Sequence, residues 1–330
     1  GLPLACHKKT IACLKHLQWH CVRWERPDPM KGPRQSLGTV AIIGVGLIGG
    51  SLASALKSSG RVDTIIGCGR SAANLDHALD LGLLDHWTHD PEEAASAGDI
   101  VMLAAPVSAV IGLMPLMERA LRPTAVLTDA SSVKMSVNRA ARSSLESKFS
   151  RFVPGHPVAG SEKSGASAAK ADLFQNHWVI LSPLAETDED AVDLVTEMWA
   201  AAGARTRLMS ESLHDQVLGM ISHLPHVVAY ALMSLLDTQA ARDDCMTLAA
   251  GGFYDISRIA SSDPVMWRDV LLHNGPVVRE LIAKYRDTLG ELDRLIESAD
   301  GPRLESWFAN ARELRGAIQE LRPPAKRDSE

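Results

Sequence analysis

Short apolar runs alternate with segments of helical spacing in the part of the chain before Ser210. Four runs rich in β-branched and aliphatic residues, each bounded by polar residues or glycine, predict buried strands. These strands are predicted at 39–43, 63–67, 99–104 and 125–129. Residues 72–81 have helical spacing, and Gly82 follows as a helix stop. Strands that alternate with helices are typical of a parallel, doubly wound sheet.

Three more strands and one helix complete the same part of the chain. The strands are predicted at 152–153, 177–181 and 206–209, and the helix at 188–202. After Ser210 the strand pattern stops, and apolar residues keep helical spacing as far as Leu235. Pro225 falls inside that pattern and is expected to kink the helix. Further helices are predicted at 263–273, 276–298 and 302–320, so the second half is expected to be all-α.

These patterns divide the chain into four segments. Residues 37–209 are predicted to form an α/β domain with a doubly wound, mostly parallel sheet, and residues 210–322 an all-α domain. Residues 1–36 are expected to be a disordered or non-native extension, because 1–29 lack a starting Met, a small-residue cleavage site and a long apolar core. Residues 323–330 are expected to be a flexible tail.

Composition and charge exclude several classes of function. A hydrophobic content of 46% supports packed cores, and the net charge of -6 gives no basic surface for nucleic acid or an anionic membrane. Residues 100–117 carry no charge, but Pro106 and Pro115 favour a strand and a short helix over a membrane span. Five cysteines, three of them in the first 21 residues, suit a reducing cytoplasm better than a disulfide framework. The Cys and His spacing of the extension matches no zinc site, so no metal is expected.

A G-x-G-x-x-G sequence at residues 44–49 directly follows the first predicted strand and opens a helix. Alone the pattern is weak, but this context is typical of a dinucleotide-binding Rossmann domain. Gly44 permits the tight turn, Gly46 lets the backbone approach a pyrophosphate, and Gly49 lets helix and strand pack closely. The alternative is a glycine turn that binds no ligand. The candidate residues for an NAD(P) site are Gly44, Gly46, Leu47, Ile48, Gly49, Arg70, Ser71 and Pro106.

The second strand lacks the acidic residue that usually binds the ribose hydroxyls of NAD. Arg70 and Ser71 stand at that place and are suited to a 2′-phosphate. An equally good explanation of Arg70 is a solvated side chain at the end of a strand. We therefore expect NADP to be accepted, while the preference between NAD and NADP stays open.

Four later motifs carry the information on chemistry. They are Asp-Ala-Ser-Ser-Val-Lys at 129–134, Pro-Gly-His-Pro-Val-Ala-Gly-Ser-Glu at 154–162, Ser-His-Leu-Pro-His at 222–226, and Gly-Gly-Phe-Tyr-Asp-Ile-Ser-Arg-Ile-Ala at 251–260 followed by Asp-Pro-Val-Met-Trp at 263–267. With the glycine loop, this ordered series resembles the prephenate/arogenate dehydrogenase family of tyrosine biosynthesis. The resemblance runs from Thr39 to Tyr285 and implies a Rossmann domain followed by a helical domain that forms a homodimer.

The resemblance implies an NAD(P)-dependent oxidative decarboxylation of prephenate, arogenate or both. Hydride leaves the ring carbon that bears the hydroxyl, the ring carboxylate leaves as carbon dioxide, and the product is aromatic. His156 matches the family's base, which takes the hydroxyl proton, and Ser132 matches its supporting hydroxyl. His226 and Arg258 match positions that hold the substrate carboxylates. Lys134 and Trp267 are expected to shape the pocket.

Each matched residue also has a purely structural explanation. His156 could be a turn residue that bonds backbone, and His223 and His226 could be helix histidines with satisfied hydrogen bonds. Arg258 could pair with Asp255 on a helix face. Two other functions stay open, a β-hydroxyacid-type dehydrogenase with a catalytic lysine in its helical domain and a non-catalytic dinucleotide sensor. The sequence does not separate prephenate from arogenate as the substrate.

Overall fold

The computed structural model describes residues 34–160 and 165–321. Of the predicted extension it covers residues 34–36, so the Cys and His group near the start of the chain lies outside the described residues. The predicted tail at 323–330 also lies outside them. The chain divides into two compact units, with the division between Glu211 and Ser212.

A six-stranded parallel sheet forms the centre of the first unit. Its strands are β1 (Thr39–Ile43), β2 (Thr64–Cys68), β3 (His86–Thr88), β4 (Ile100–Leu103), β5 (Val126–Asp129) and β6 (Phe152–Val153). The order is β3-β2-β1-β4-β5-β6, and every neighbouring pair is parallel. All residues of β4 and β5 are buried, as expected for strands covered on both faces by helices. The predicted Rossmann architecture is confirmed.

The described residues of this unit form six α-helices. They are α1 (Leu47–Ser59), α2 (Ala72–Asp80), α3 (Pro91–Ala97), α4 (Val107–Ala120), α5 (Met135–Ser144) and α6 (Glu189–Ala201). The helix α1 ends at Gly60, whose φ of 64° is a left-handed conformation that glycine adopts without strain. The uncharged run at 100–117 is divided between β4 and α4, as its prolines predicted.

A second, three-stranded sheet lies in the same unit. Its strands are β7 (Gly155–Pro157), β8 (Trp178–Leu181) and β9 (Arg205–Leu208). The strand β7 is antiparallel to β8, and β8 is parallel to β9. The sequence predicted β8 and β9 but not their separate sheet, and it missed β3 and β7. Each missed strand has three residues, too few to show the alternation by which strands are predicted.

The second unit is helical, and no strand is found in the described chain after Leu208. Its helices are α7 (Glu211–Leu218), α8 (Leu224–Asp237), α9 (Arg242–Thr247), α10 (Gly251–Ser257), α11 (Pro264–His273), α12 (Gly275–Glu297) and α13 (Gly301–Glu320). A π-helical segment, Gly219–His223, separates α7 from α8 just before Pro225. The sequence predicted a kink at Pro225, and the structure has a π-helical segment just before it, where the proline nitrogen has no hydrogen to continue the α-helical pattern.

The helical run Glu211–Asp237 is long and apolar enough, by length and composition alone, to cross a membrane. It also carries His214, Asp215 and His223, which are all buried within the folded chain. The His214 Nδ1 atom lies 2.8 Å from Asp215 Oδ1. Buried and partnered polar side chains of this kind fit the core helix of a folded domain.

Candidate active site

The glycine loop lies where the strand order of the parallel sheet reverses. The chain leaves β1 toward β2 on one side and returns to β4 on the other, so the carboxyl ends of β1 and β4 border a crevice. Residues 44–49 follow β1, and Pro106 follows β4 as the residue before α4. Gly44 has a φ of 107°, and a Cβ there would overlap the carbonyl oxygen of Ala104. The tight turn at Gly44 therefore requires glycine.

The loop has the open space that a pyrophosphate needs. Gly46 is the N-cap of α1, and no heavy atom of the described residues lies within 4 Å of a Cβ built on it. Leu47 and Ile48 form the start of α1, whose first turn carries no acidic residue, so its free N–H groups suit an anion. At Gly49 a Cβ would overlap the Gly44 carbonyl oxygen, which shows how closely α1 packs on the loop. These residues fit the phosphates of a dinucleotide.

The end of β2 carries the predicted ribose contacts. Arg70 is exposed, and no ion pair of its side chain is found among the described residues. Ser71 is the N-cap of α2, where its Oγ accepts a hydrogen bond from Asn74 N–H at 3.3 Å. Burial raises the pKa of the Cys68 thiol to about 11, with the charge of Asp90 adding to the effect, so the thiol is neutral.

Asn74, which no motif in the sequence had indicated, joins the glycine loop to a distant segment. Its Nδ2 donates to the carbonyl oxygen of Val45 at 2.7 Å, and its Oδ1 accepts from Ala166 N–H at 2.9 Å. Ala166 is 92 positions away along the chain, so no local pattern could have indicated the contact. The side-chain amide of Asn74 therefore links the glycine loop, on which a nucleotide would lie, to the backbone of Ala166.

His156 is the central residue of β7, with a relative exposure of 8%. Its neighbour Gly155 is held by two buried side chains. The Lys134 Nζ donates to Gly155 O at 2.5 Å and to Asp129 Oδ2 at 2.7 Å, while Asp129 Oδ1 accepts from Gly155 N–H at 3.0 Å. Lys134 is fully buried, so a direct contact between it and a substrate stays a prediction.

Ser132 lies in the loop between β5 and α5 and is half-buried. Because β5 is parallel to β4, this loop leaves the sheet at the same edge as the glycine loop and Pro106. The structure therefore brings Ser132 and the nucleotide-binding residues to one edge of the sheet. The role of Ser132 as the supporting hydroxyl stays a prediction.

In the helical unit, His226 stacks on Trp267. The ring centroids are 3.6 Å apart with an interplanar angle of 23°. The His226 Nδ1 lies 2.9 Å from the Ser222 carbonyl oxygen, so Nδ1 carries the hydrogen and donates it. Burial lowers the pKa of His226, against the raising effect of that hydrogen bond, and the positive charge of Arg258 lowers it further. The ring is therefore neutral near pH 7 and offers Nε2 as an acceptor.

Arg258 is exposed at the start of the 3₁₀ turn Arg258–Ser261. Among the described residues it forms no ion pair with Asp255, so the structural explanation considered for Arg258 finds no support. His223 differs, because it is buried and its Nδ1 accepts a hydrogen bond from Asn274 Nδ2 at 3.0 Å. His223 is thus a satisfied helix histidine, whereas Arg258 is available to a ligand. The described residues contain no group of three or more His, Cys, Asp or Glu that could hold a metal ion.

Comparisons with known proteins cover both units. The chain matches the family model described as the nucleotide-binding domain of prephenate dehydrogenase over residues 52–208. It matches the model described as the prephenate dehydrogenase dimerization domain over residues 210–310. The cyclohexadienyl dehydrogenase of Zymomonas mobilis is 36% identical over 289 residues, which make up 86% of this chain and 98% of that protein.

Two solved structures share the fold over most of the chain. The prephenate dehydrogenase of Aquifex aeolicus, in complex with hydroxyphenyl propionate and NAD+, has a TM-score of 0.81 at 35% identity. The match covers 87% of this chain and 100% of that one. The arogenate dehydrogenase of Synechocystis has a TM-score of 0.73 at 28% identity, with 85% of this chain and 99% of that chain covered.

Proposed function

We propose, because the chain belongs to the prephenate dehydrogenase family, that it catalyses the NAD(P)-dependent oxidative decarboxylation of prephenate, arogenate or both in tyrosine biosynthesis. Prephenate would give 4-hydroxyphenylpyruvate and carbon dioxide, and arogenate would give tyrosine and carbon dioxide. When bound, the nicotinamide accepts hydride from the ring carbon that bears the hydroxyl. The gain of aromaticity on loss of the carboxylate drives the reaction.

The observation that carries the proposal is the group formed by Arg258, His226 and Trp267 in the helical unit. Arg258 is an exposed cation without an ion pair among the described residues, and its charge reaches the half-buried His226, which stacks on the buried Trp267. A doubly anionic substrate has to bind to a protein of net charge -6, so its carboxylates need fixed cationic partners. Arg258 can supply two parallel hydrogen bonds to one carboxylate.

His156 is proposed to take the proton of the ring hydroxyl. An imidazole is the economical base for this step, because its ordinary pKa lies close to physiological pH. The low exposure of His156 and its place in a hydrogen-bonded strand support a fixed ring position. Ser132 is proposed to orient that ring by a hydrogen bond.

NADP is proposed to be accepted as well as NAD. The support is the exposed Arg70 at the end of β2, where the sequence has no Asp or Glu at the position that usually binds the ribose hydroxyls. Ser71 adds a hydroxyl at the N-terminus of α2, a position that also favours an anion.

A homodimer formed through the helical unit is proposed, together with a cytoplasmic location. The helical unit exposes many large apolar side chains, and such patches mark interaction surfaces. Among them are Leu235, Leu248, Ile256, Leu272 and Leu289. Light scattering of the purified protein tests the dimer, and a monomer at micromolar concentration would contradict it.

The free thiols of Cys68 and Cys245 are compatible with a reducing compartment and so with the proposed cytoplasmic location.

The activity is tested with prephenate and arogenate, each with NAD and with NADP. Formation of the reduced nicotinamide is followed by absorbance, and the product is identified by chromatography. Turnover in at least one of the four combinations is expected. A protein that binds NAD in a titration but turns over neither substrate would contradict the proposal and favour the dinucleotide sensor.

A further inference from the structure

Asp129 and Lys134 form a buried ion pair in the first unit. Both side chains have a relative exposure of 0%, and Lys134 Nζ lies 2.7 Å from Asp129 Oδ2. A buried ion pair adds little net stability, because both charges lose their hydration when the protein folds. The contacts of the ion pair with the neighbouring backbone are therefore a better guide to its role than its contribution to stability.

The buried ion pair holds both peptide groups of Gly155. Asp129 Oδ1 accepts the Gly155 N–H at 3.0 Å, and Lys134 Nζ donates to the Gly155 carbonyl at 2.5 Å. Asp129 Oδ2 also accepts the Ser131 N–H at 2.9 Å, which fixes the carboxylate to the loop after β5. The residue before His156 is thus attached to the end of β5 at two atoms.

The strand β7 has a sheet neighbour on one side, because the order of its sheet is β7-β8-β9. Ser182 N–H donates to the Pro154 carbonyl at 2.8 Å, so in the antiparallel alternation the next pair, Gly155 and Leu181, is not hydrogen-bonded. The peptide groups of Gly155 therefore point away from β8. On that side of β7 the buried ion pair takes the place of a second neighbouring strand.

The contact between β7 and β5 is too close for a side chain on Gly155. A Cβ built there would lie 2.8 Å from the Asp129 carbonyl oxygen. The backbone before His156 is thus held by polar contacts and by direct packing. A change at the ion pair would be transmitted to His156 through one peptide unit.

We propose that the buried ion pair positions His156 for proton abstraction by fixing the peptide groups of Gly155. The proposal rests on the proposed function of His156 as the base. Asp129 and Lys134 are in this view positioning residues, whose effect on proton abstraction passes through His156.

The first test compares Lys134→Met with the double variant Asp129→Leu/Lys134→Met. The single variant leaves an uncompensated buried charge and should lose thermal stability. The double variant has no buried charge but leaves the N–H groups of Gly155 and Ser131 without their acceptor, so it should regain part of that stability. The single variant lacks the Lys134 contact with Gly155, and the double variant lacks both contacts. The kcat of the double variant should therefore stay about 100-fold below that of the wild type, with the Kd for NAD unchanged. Recovery of kcat together with thermal stability would mean a purely structural role and would overturn the proposal.

The second test is a double-mutant cycle with His156→Asn. If the ion pair acts through His156, then adding Asp129→Leu/Lys134→Met to His156→Asn should lower kcat by less than about twofold. A further loss as large as the one in the wild-type background would overturn the proposal, because the effect would then bypass His156.

A third readout does not depend on activity. The His156 amide should exchange its hydrogen about tenfold faster in Asp129→Leu/Lys134→Met, while the amide of Val101 in β4 serves as the unchanged control. Equal exchange at His156 in both proteins would overturn the positioning role. A wild-type protein that turns over neither substrate would refute the proposed function alone, and the exchange measurement would still decide the role of the ion pair.

Discussion

Replacing Gly46 by alanine should separate nucleotide binding from folding. The Gly46 backbone has φ -105° and ψ -153°, which other residues can adopt, and no heavy atom of the described residues lies within 4 Å of the added Cβ. Loss of a glycine N-cap lowers the free energy of unfolding by on the order of 1 kcal/mol. The lower conformational freedom of the unfolded chain raises it again by about 0.4–1 kcal/mol. We therefore expect the Tm of the ligand-free protein to change by less than about 4 °C.

The same methyl group would occupy the space through which a pyrophosphate approaches the N-terminus of α1. The phosphate would then lose hydrogen bonds to the N–H groups of the helix. We expect the Kd for NAD, measured by titration calorimetry, to rise at least tenfold, which corresponds to about 1.4 kcal/mol. A Gly46→Ala protein with the Kd of the wild type would show that the backbone at Gly46 does not approach the ligand.

Two alanine substitutions serve as controls. In Gly49→Ala the new Cβ would overlap the Gly44 carbonyl oxygen and lie 2.8 Å from Ile42 Cγ2, so we expect a loss of about 1–3 kcal/mol in stability. In Gly112→Ala, on the exposed face of α4, the Cβ meets no described atom within 4 Å. That variant should gain about 0.5–1 kcal/mol and keep the Kd for NAD. If Gly46→Ala lost as much stability as Gly49→Ala, its weaker binding would reflect damage to the fold.

Four further predictions concern single side chains. His156→Asn should lower kcat by roughly 10²–10⁴ with an unchanged Kd for NAD, and a near-normal kcat would remove His156 from the mechanism. Arg258→Gln should raise KM for the substrate by roughly tens- to thousands-fold while Asp255→Asn leaves it unchanged, and an unchanged KM in Arg258→Gln would exclude the carboxylate role. Arg70→Ala should raise KM for NADP more than for NAD, whereas equal effects would mean that Arg70 does not bind the 2′-phosphate. The pKa of His226 is lower in the folded protein than in the unfolded chain, so the unfolded chain takes up the proton first as the pH falls. Below pH 6.5 the wild type should therefore lose free energy of unfolding that His226→Gln keeps. If the free energy of unfolding, measured in urea, depended on pH equally in both proteins, this prediction would be wrong.

The parallel sheet was predictable where the strands are long enough to show a pattern. The strands β1 and β6 were predicted with their observed bounds, Thr39–Ile43 and Phe152–Val153, and the other predicted strands differ from the observed ones by one residue at one or both ends. The short strands β3 and β7 were not predicted. The pairing of β7 with β8 in a separate sheet could not be read from periodicity, because periodicity indicates a strand but not its partner.

The candidate site was predictable where a motif is local. The glycine loop was identified because its strand and helix adjoin it in the sequence. The contacts of Lys134 with Gly155 and of Asn74 with Ala166 join residues 21 and 92 positions apart. No spacing rule connects such residues, so the burial of Lys134 and the bridging role of Asn74 required the folded chain.

The helical unit offers a dianionic substrate the guanidinium of Arg258, and a second positive charge only when His226 is protonated. Arg258 is an exposed guanidinium. His226 is neutral in the free protein and has its Nδ1 hydrogen bonded to Ser222, so its Nε2 can hold a carboxylate only after the ring takes up a proton. The charge of Arg258 opposes that proton, since it lowers the pKa of His226. A carboxylate bound to Arg258 would cancel this opposition, so carboxylate binding at Arg258 and proton uptake at His226 favour each other.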